Sequence, residues 1–141
     1  MSDLRFDIND FKLDKGAKAA GVWIDFGGGA EFKIASFDNP SFTDAFRKAT
    51  KPYADLGKEI PEDDQIEIMA RCMSNFIVLD WKNVYDGEDV MAYSVDNAYR
   101  LLKELEWIRS KLIAEAQKLE NFRAHAREAT EKNSPAASPG K

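Results

Sequence analysis

Few side chains in this sequence could carry chemistry. His125 is the single histidine, so any imidazole base or triad must use it, and its flanking residues are Ala124 and Ala126. A surface position is the simpler reading, and no catalytic residue is assigned. Cys72 is also alone, which removes an internal disulfide and a thiolate zinc cluster. It sits three residues after Met69 and four before Phe76, at the edge of a helical apolar stripe, where it reads as a small core residue rather than a nucleophile.

Glu59, Glu62, Asp63 and Asp64 form an acidic cluster with oxygen ligands suited to Mg²⁺ or Ca²⁺. A calcium loop of the EF-hand type needs carboxylates at alternating positions and a glycine at the sixth, and that pattern is absent. Asp86-Gly87-Glu88-Asp89 is too short for it. Helix capping and solvation account for both clusters, so no metal site is assigned. Gly27-Gly28-Gly29 follows a strand-like segment, but a second strand-like segment comes next and no Gly-Lys-Ser/Thr is present. A phosphate cradle therefore fails on context, and no cofactor is expected.

Composition narrows the classes further. The 141 residues suit one domain with its own core, 44% hydrophobic and 11% aromatic. A formal net charge of −5 argues against general phosphate binding, so nucleic acid is not an expected partner. No run reaches the roughly 18 apolar residues of a membrane helix, and Met1-Ser-Asp-Leu-Arg5 lacks the features of a signal peptide. The expectation is a soluble, cytoplasmic protein without a membrane partner. Residues 100–132 carry eight Lys or Arg against six Glu, whereas residues 1–99 are acidic; a solvated helix face is the preferred reading of that contrast.

The elements that would position any site follow from local pattern. Residues 1–20 read as an N-terminal arm, with Phe6 and Ile8 alternating as in a short strand and 15–20 as a loop. Val22–Phe26 and Ala30–Ala35 are β-rich and separated by glycines, which predicts a hairpin with Val22, Ile24 and Phe26 on one face and Trp23 on the other. Asn39-Pro40-Ser41 predicts a helix start, followed by a short helix over 42–49 that buries Phe42, Ala45, Phe46 and Ala49 at 3-4 spacing and stops before Pro52. Pro61-Glu-Asp-Asp64 opens a second helix whose apolar stripe is Ile66, Met69, Ala70, Met73, Phe76 and Ile77. Asp86-Gly87 predicts a turn, and Ser94 predicts a helix N-cap, with Tyr93 placed to staple against Ala98 or Tyr99. Leu101, Leu105, Ile108, Leu112, Leu119 and Phe122 continue at helical spacing, in one long helix or two with a bend near 104–106. The fold expected is mainly α, a small N-terminal β-hairpin packed on about four helices. A globular domain over 21–130 would be followed by a disordered tail over 131–141, rich in Ser and Pro.

Two stretches carry a family resemblance. Ile77-Val-Leu-Asp-Trp-Lys-Asn-Val-Tyr-Asp-Gly-Glu-Asp-Val-Met-Ala-Tyr-Ser94 runs directly into Val95-Asp-Asn-Ala-Tyr-Arg-Leu-Leu-Lys-Glu-Leu105. Gly21-Val-Trp-Ile-Asp-Phe26, a glycine turn, Phe32-Lys-Ile-Ala35 and Asn39-Pro40-Ser41-Phe42 precede them. Taken in order, over about residues 20 to 123, they resemble the tail assembly chaperones of long-tailed, siphovirus-like bacteriophages.

The resemblance implies a non-enzymatic protein that binds the phage tape measure protein, keeps it soluble, and helps recruit tail tube protein during virion morphogenesis. It also favours the bend near residues 104–106. It implies action in the host cytoplasm and absence from the mature virion. In such families a longer product often arises by ribosomal frameshifting, and Gly140-Lys141 and Glu131-Lys132-Asn133 are compatible with slippery codons. The residues assigned to the partner surface are Trp107, Ile108, Leu112 and Trp81. Trp is enriched among interface hot spots, and for Trp81 a core position is the preferred alternative. A homo-oligomer through the Leu101–Phe122 stripe is a further expectation. The competing readings are a helical adaptor or regulatory protein outside tail assembly, and an enzyme whose site is built from distant carboxylates.

Overall fold

Gly28 and Gly29 both take positive φ, 63° and 81°, which only glycine adopts without strain and which matches the twist of a two-residue hairpin turn. They join β1 (Val22–Gly27) to β2 (Ala30–Ile34) in a computed structural model that describes residues 6–13 and 15–123. The register pairs Val22 with Ile34 and Ile24 with Phe32. Val22, Phe32 and Ile34 are buried, while Trp23 lies under the ammonium of Lys82 at 4.3 Å from its ring centre. The expected facing of the hairpin holds.

A hairpin resting on helices is not what forms, however. Val78–Lys82 is a strand, β3, antiparallel to β2, with Phe32 opposite Trp81 and Glu31 opposite Lys82. The sheet has three strands in the order β1-β2-β3, and β4 (Tyr85–Asp86) and β5 (Asp89–Val90) form a second, two-stranded sheet. With five helices among the described residues, the fold is mixed α/β, which corrects the expectation of a mainly α domain. A β-bulge explains why the strand is hidden. The register slips between Ile34↔Val78 and Lys33↔Asp80, so Leu79 is an extra residue. In a regular strand Val78 and Trp81 would face opposite sides; the bulge turns both inward, and both are buried. Their spacing of three imitates the end of a helix.

The segment after β3 is laced back to it. The Trp81 indole N–H donates to the Met91 carbonyl at 2.7 Å, and the Tyr93 hydroxyl donates to the Val78 carbonyl at 2.8 Å. Tyr93 stands edge-on to Trp81, with ring centres 5.2 Å apart. Its hydroxyl thus anchors the chain to the strand just before the Ser94 cap. Ser94 Oγ accepts the Asn97 N–H at 2.9 Å and starts α4 (Val95–Glu104). Leu105, at φ −111° and ψ 93°, breaks the helix before α5 (Glu106–Gln117), in agreement with the bend. Arg109 bridges the break by donating to the Leu102 carbonyl at 2.7 Å.

Two helices differ from the sequence reading. The helix α2 (Pro40–Asp55) starts at the Asn39 cap, whose side-chain oxygen accepts the Phe42 N–H at 2.9 Å, but it continues through Pro52. Pro52 falls near its end, and the Tyr53 hydroxyl donates to Asp64 Oδ2 at 2.8 Å, pinning that last turn to α3 (Glu62–Phe76). A tertiary contact there offsets the lost backbone bond. Residues 15–20, read as a loop, form the helix α1 (Lys15–Ala20), and Ile8–Phe11 form a 3-10 turn rather than a strand. The α1 helix is held from the far end of the described residues, since buried Ala17 packs with Val22 and with Phe122 of a 3-10 turn over Leu119–Phe122. Gly21 closes α1 at φ +89°, where a Cβ would lie 3.2 Å from the Ile34 carbonyl oxygen. The main core joins α3, α4, α5 and the inner sheet face, with Met73, Ile77, Leu102 and Leu112 fully buried. The tail over 131–141 lies outside the described residues.

Candidate partner-binding groove

The loop between β2 and α2 places the Phe37 ring next to Phe42 and Phe46 of that helix. Ser36 is buried, accepts the Asp38 N–H on its hydroxyl at 2.9 Å, and lies beside Asn39, whose side chain caps α2. Phe37, between them, donates its backbone N–H to the Ala116 carbonyl at 3.0 Å, so its ring is fixed against the start of α2. Phe42 and Phe46 are one helical turn apart. The three rings stack in series, with centres 4.4 Å apart for Phe37 and Phe42 and 5.9 Å apart for Phe42 and Phe46.

Phe37 and Phe46 form one wall of a groove of about 560 Å³, backed by Phe42, which is 6% exposed and belongs to the main core. Met69 of α3 and Gln117 at the end of α5 complete it, and Thr43, Arg47 and Thr50 form its rim. Its size lies within the roughly 300–1,000 Å³ of ligand cavities. The lining offers apolar contact with a few hydrogen-bonding groups at the edge. The Thr43 and Thr50 hydroxyls donate to the Asn39 and Phe46 carbonyls of their own helix, and the apolar remainder of the lining suits an apolar face.

The four residues assigned to the partner surface from sequence do not share one surface. Trp81 is 6% exposed and Leu112 is 0% exposed, both in the main core, and Ile108 is half-buried against it. Trp107 is 70% exposed. A partner docking on the folded chain reaches Trp107 and not Trp81 or Leu112. From the stripe expected to support oligomers, Leu101, Leu112 and Phe122 are buried within the chain. The groove residues went unassigned because Phe42 and Phe46 read as the buried face of α2, and Phe37 belongs to no periodic element. Phe37 carries no local signal, because its place beside Phe42 depends on the bond from its N–H to the distant Ala116 carbonyl.

The other candidates resolve into structure. Cys72 is buried, and desolvation pushes its thiol up, toward the unreactive protonated form. Asp64 of the acidic cluster accepts from Tyr53, and Asp86 pairs with Arg100 at 3.1 Å. Among the described residues no group of three or more His, Cys, Asp or Glu is placed to hold a metal ion. His125 lies outside those residues. No helix among them is long and apolar enough to cross a membrane.

A cluster of titratable side chains joins α3 to α4. Glu67 accepts from Lys103 Nζ at 2.7 Å, from Arg71 Nε at 2.9 Å and from the Tyr99 hydroxyl, while the Arg71 guanidinium lies 4.0 Å from the Tyr99 ring centre. The Lys103 hydrogen bond, then those of Tyr99 and Arg71, hold the Glu67 carboxyl down from its ordinary 4.5 to about 2. A depressed folded pKa contributes stability that is complete above pH 4.5 and is lost as pH falls from 4.5 toward 2. The side chain is 36% exposed, so solvent screening limits this to about 1 kcal/mol. Urea unfolding at pH 7 and pH 3 should therefore show Glu67→Gln less stable at pH 7, with the deficit reduced to about half at pH 3. An equal deficit at both pH values would contradict the role given to the carboxylate charge.

A family model described as YdaY prophage protein matches residues 37–133. The chain belongs to that family. The match begins at Phe37, so it takes in the whole aromatic wall, together with α2 to α5, while β1 and β2 lie outside it. Membership gives the chain a phage origin, the same origin that the tail-chaperone resemblance implies. Neither the curated proteins nor the solved structures contain a match to the chain.

Proposed function

We propose that this prophage protein is a non-enzymatic tail assembly chaperone whose client is the tape measure protein. The groove walled by Phe37, Phe46 and Met69, with Phe42 behind them, carries the reading, because it offers an apolar helix a preformed site on the folded surface. Family membership supports the phage context, and the order of motifs from Gly21 to Leu105 supports the tail-assembly role.

The mechanism is temporary cover. A tape measure protein is a long helical polypeptide whose apolar stripes associate with one another when unprotected, and a groove that takes one stretch of stripe at a time keeps it monomeric. Release requires weak contacts, so that tail tube protein displaces the chaperone as the tube assembles around its ruler. Several copies along one client would supply avidity without tight individual binding. Recruitment of tail tube protein would fall to this chain or to a longer frameshifted product, in the host cytoplasm.

Co-expression with the tape measure protein of the same phage genome tests the reading. The expected outcome is a several-fold rise in soluble client and its co-purification with this chain. Insoluble client at unchanged yield, with no co-purification, would overturn the chaperone role and leave a helical adaptor of another process.

A further inference from the structure

Apart from the main core, the chain holds a second apolar cluster of three buried residues, Ala17 of α1, Val22 of β1 and Phe122 of the closing 3-10 turn. Leu13 and Arg123 pair beside it as an antiparallel bridge. The two ends of the described chain are therefore clasped to each other, and Phe122, fully buried, is the largest side chain in the clasp.

The clasp is wired to the groove. The Lys18 carbonyl of α1 accepts the Ser36 N–H at 2.9 Å, and the Lys18 ammonium pairs with Asp38. The Ala116 carbonyl, in the last turn of α5 ahead of Phe122, accepts the Phe37 N–H at 3.0 Å. Phe37 is thus suspended between the two segments that the clasp brings together, and Gln117 of the second segment also lines the groove.

We infer that the terminal clasp regulates the groove: with Phe122 seated, α1 holds Ser36 and Asp38 through Lys18 and the Phe37 wall stands; with Phe122 withdrawn, those Lys18 anchors are lost, only the bond to Ala116 of the main core still holds Phe37, and the wall loosens. A cluster of three buried residues is held by less burial than the main core, so it opens first, as a unit separate from α3 and α4. Linkage runs both ways. An apolar helix that needs the Phe37 wall closes the clasp when it binds, and a partner that draws away either terminal segment releases that helix. This rests on the groove being the client site, and it supplies a means of release as the tail tube arrives.

Native-state hydrogen exchange on the full chain tests it without a client. In low urea, the amides of Gly21 and Ser36 should exchange through one shared opening, and those of Ala70 and Met73 in α3 should exchange more slowly. Phe122→Ala should speed the first set about tenfold or more while leaving the second unchanged, and Phe122→Leu should restore much of the protection. Three results would overturn the clasp: exchange of Gly21 and Ser36 together with the α3 amides in the parent protein, unchanged exchange there in Phe122→Ala, or equal acceleration of all these amides. With the tape measure protein present, Phe122→Ala should retain less client on purification than the parent. Coupled exchange with no client bound by either protein would overturn the groove reading and leave the clasp standing.

Discussion

Replacing Trp81 with alanine is expected to lower the unfolding free energy by about 3–5 kcal/mol, the range for truncating a large buried aromatic. The indole is 6% exposed and stands edge-on to Phe32 at 5.7 Å and Tyr93 at 5.2 Å between ring centres. Its N–H is the partner of the Met91 carbonyl, which holds the segment leading to the Ser94 cap against β3. Alanine removes three contributions together: apolar burial, two ring contacts, and the hydrogen bond that lashes the following segment down. Trp81→Phe keeps most of the volume and loses the bond, so an intermediate loss of about 1–3 kcal/mol is expected. Urea unfolding followed by far-UV circular dichroism measures both. A loss under about 1 kcal/mol for alanine would contradict the placement of Trp81 in the core.

Phe46→Asp is expected to cut client binding at least tenfold while the protein stays folded. Phe46 is half-buried, at the open end of the stacked series Phe37, Phe42, Phe46, so a carboxylate there is solvated in the free protein. With an apolar helix in the groove the same carboxylate would be desolvated without a partner, and hot-spot losses of about 2 kcal/mol or more follow from such changes. Trp107→Ala provides the contrast. That side chain is 70% exposed, does not line the groove, and should change binding less than threefold, or by about 0.6 kcal/mol. A reversed order would move the client from the groove to the α4–α5 junction.

What the sequence makes legible here is what neighbours along the chain decide. The Gly28-Gly29 turn, the Asn39 and Ser94 caps and the α3 stripe through Ala70 and Met73 are each settled within a turn or two of backbone. The elements misread are those stabilised from a distance. β3 exists because Phe32 and Glu31 pair with it, and its bulge at Leu79 gives its buried residues a false helical spacing. α1 contains Gly16 and lacks an apolar period, and it is covered by Phe122, more than a hundred residues away in sequence. α2 passes Pro52 because Tyr53 reaches Asp64 on another helix. The groove obeys the same rule. Phe42 and Phe46 are legible as one helix face, but only the hydrogen bond from Phe37 to Ala116 places the third ring beside them, and nothing near Phe37 in sequence foretells it.

The central claim is that the Phe37–Phe42–Phe46 groove takes an apolar helix of the tape measure protein. The most direct test is to titrate helical tape measure peptides into the isotopically labelled chain and follow backbone and aromatic chemical shifts. The account predicts a saturable response centred on Phe37, Phe42, Phe46, Met69 and Gln117, absent in Phe46→Asp. A response centred on Leu105 and Trp107, or none with any peptide spanning the client, would contradict it.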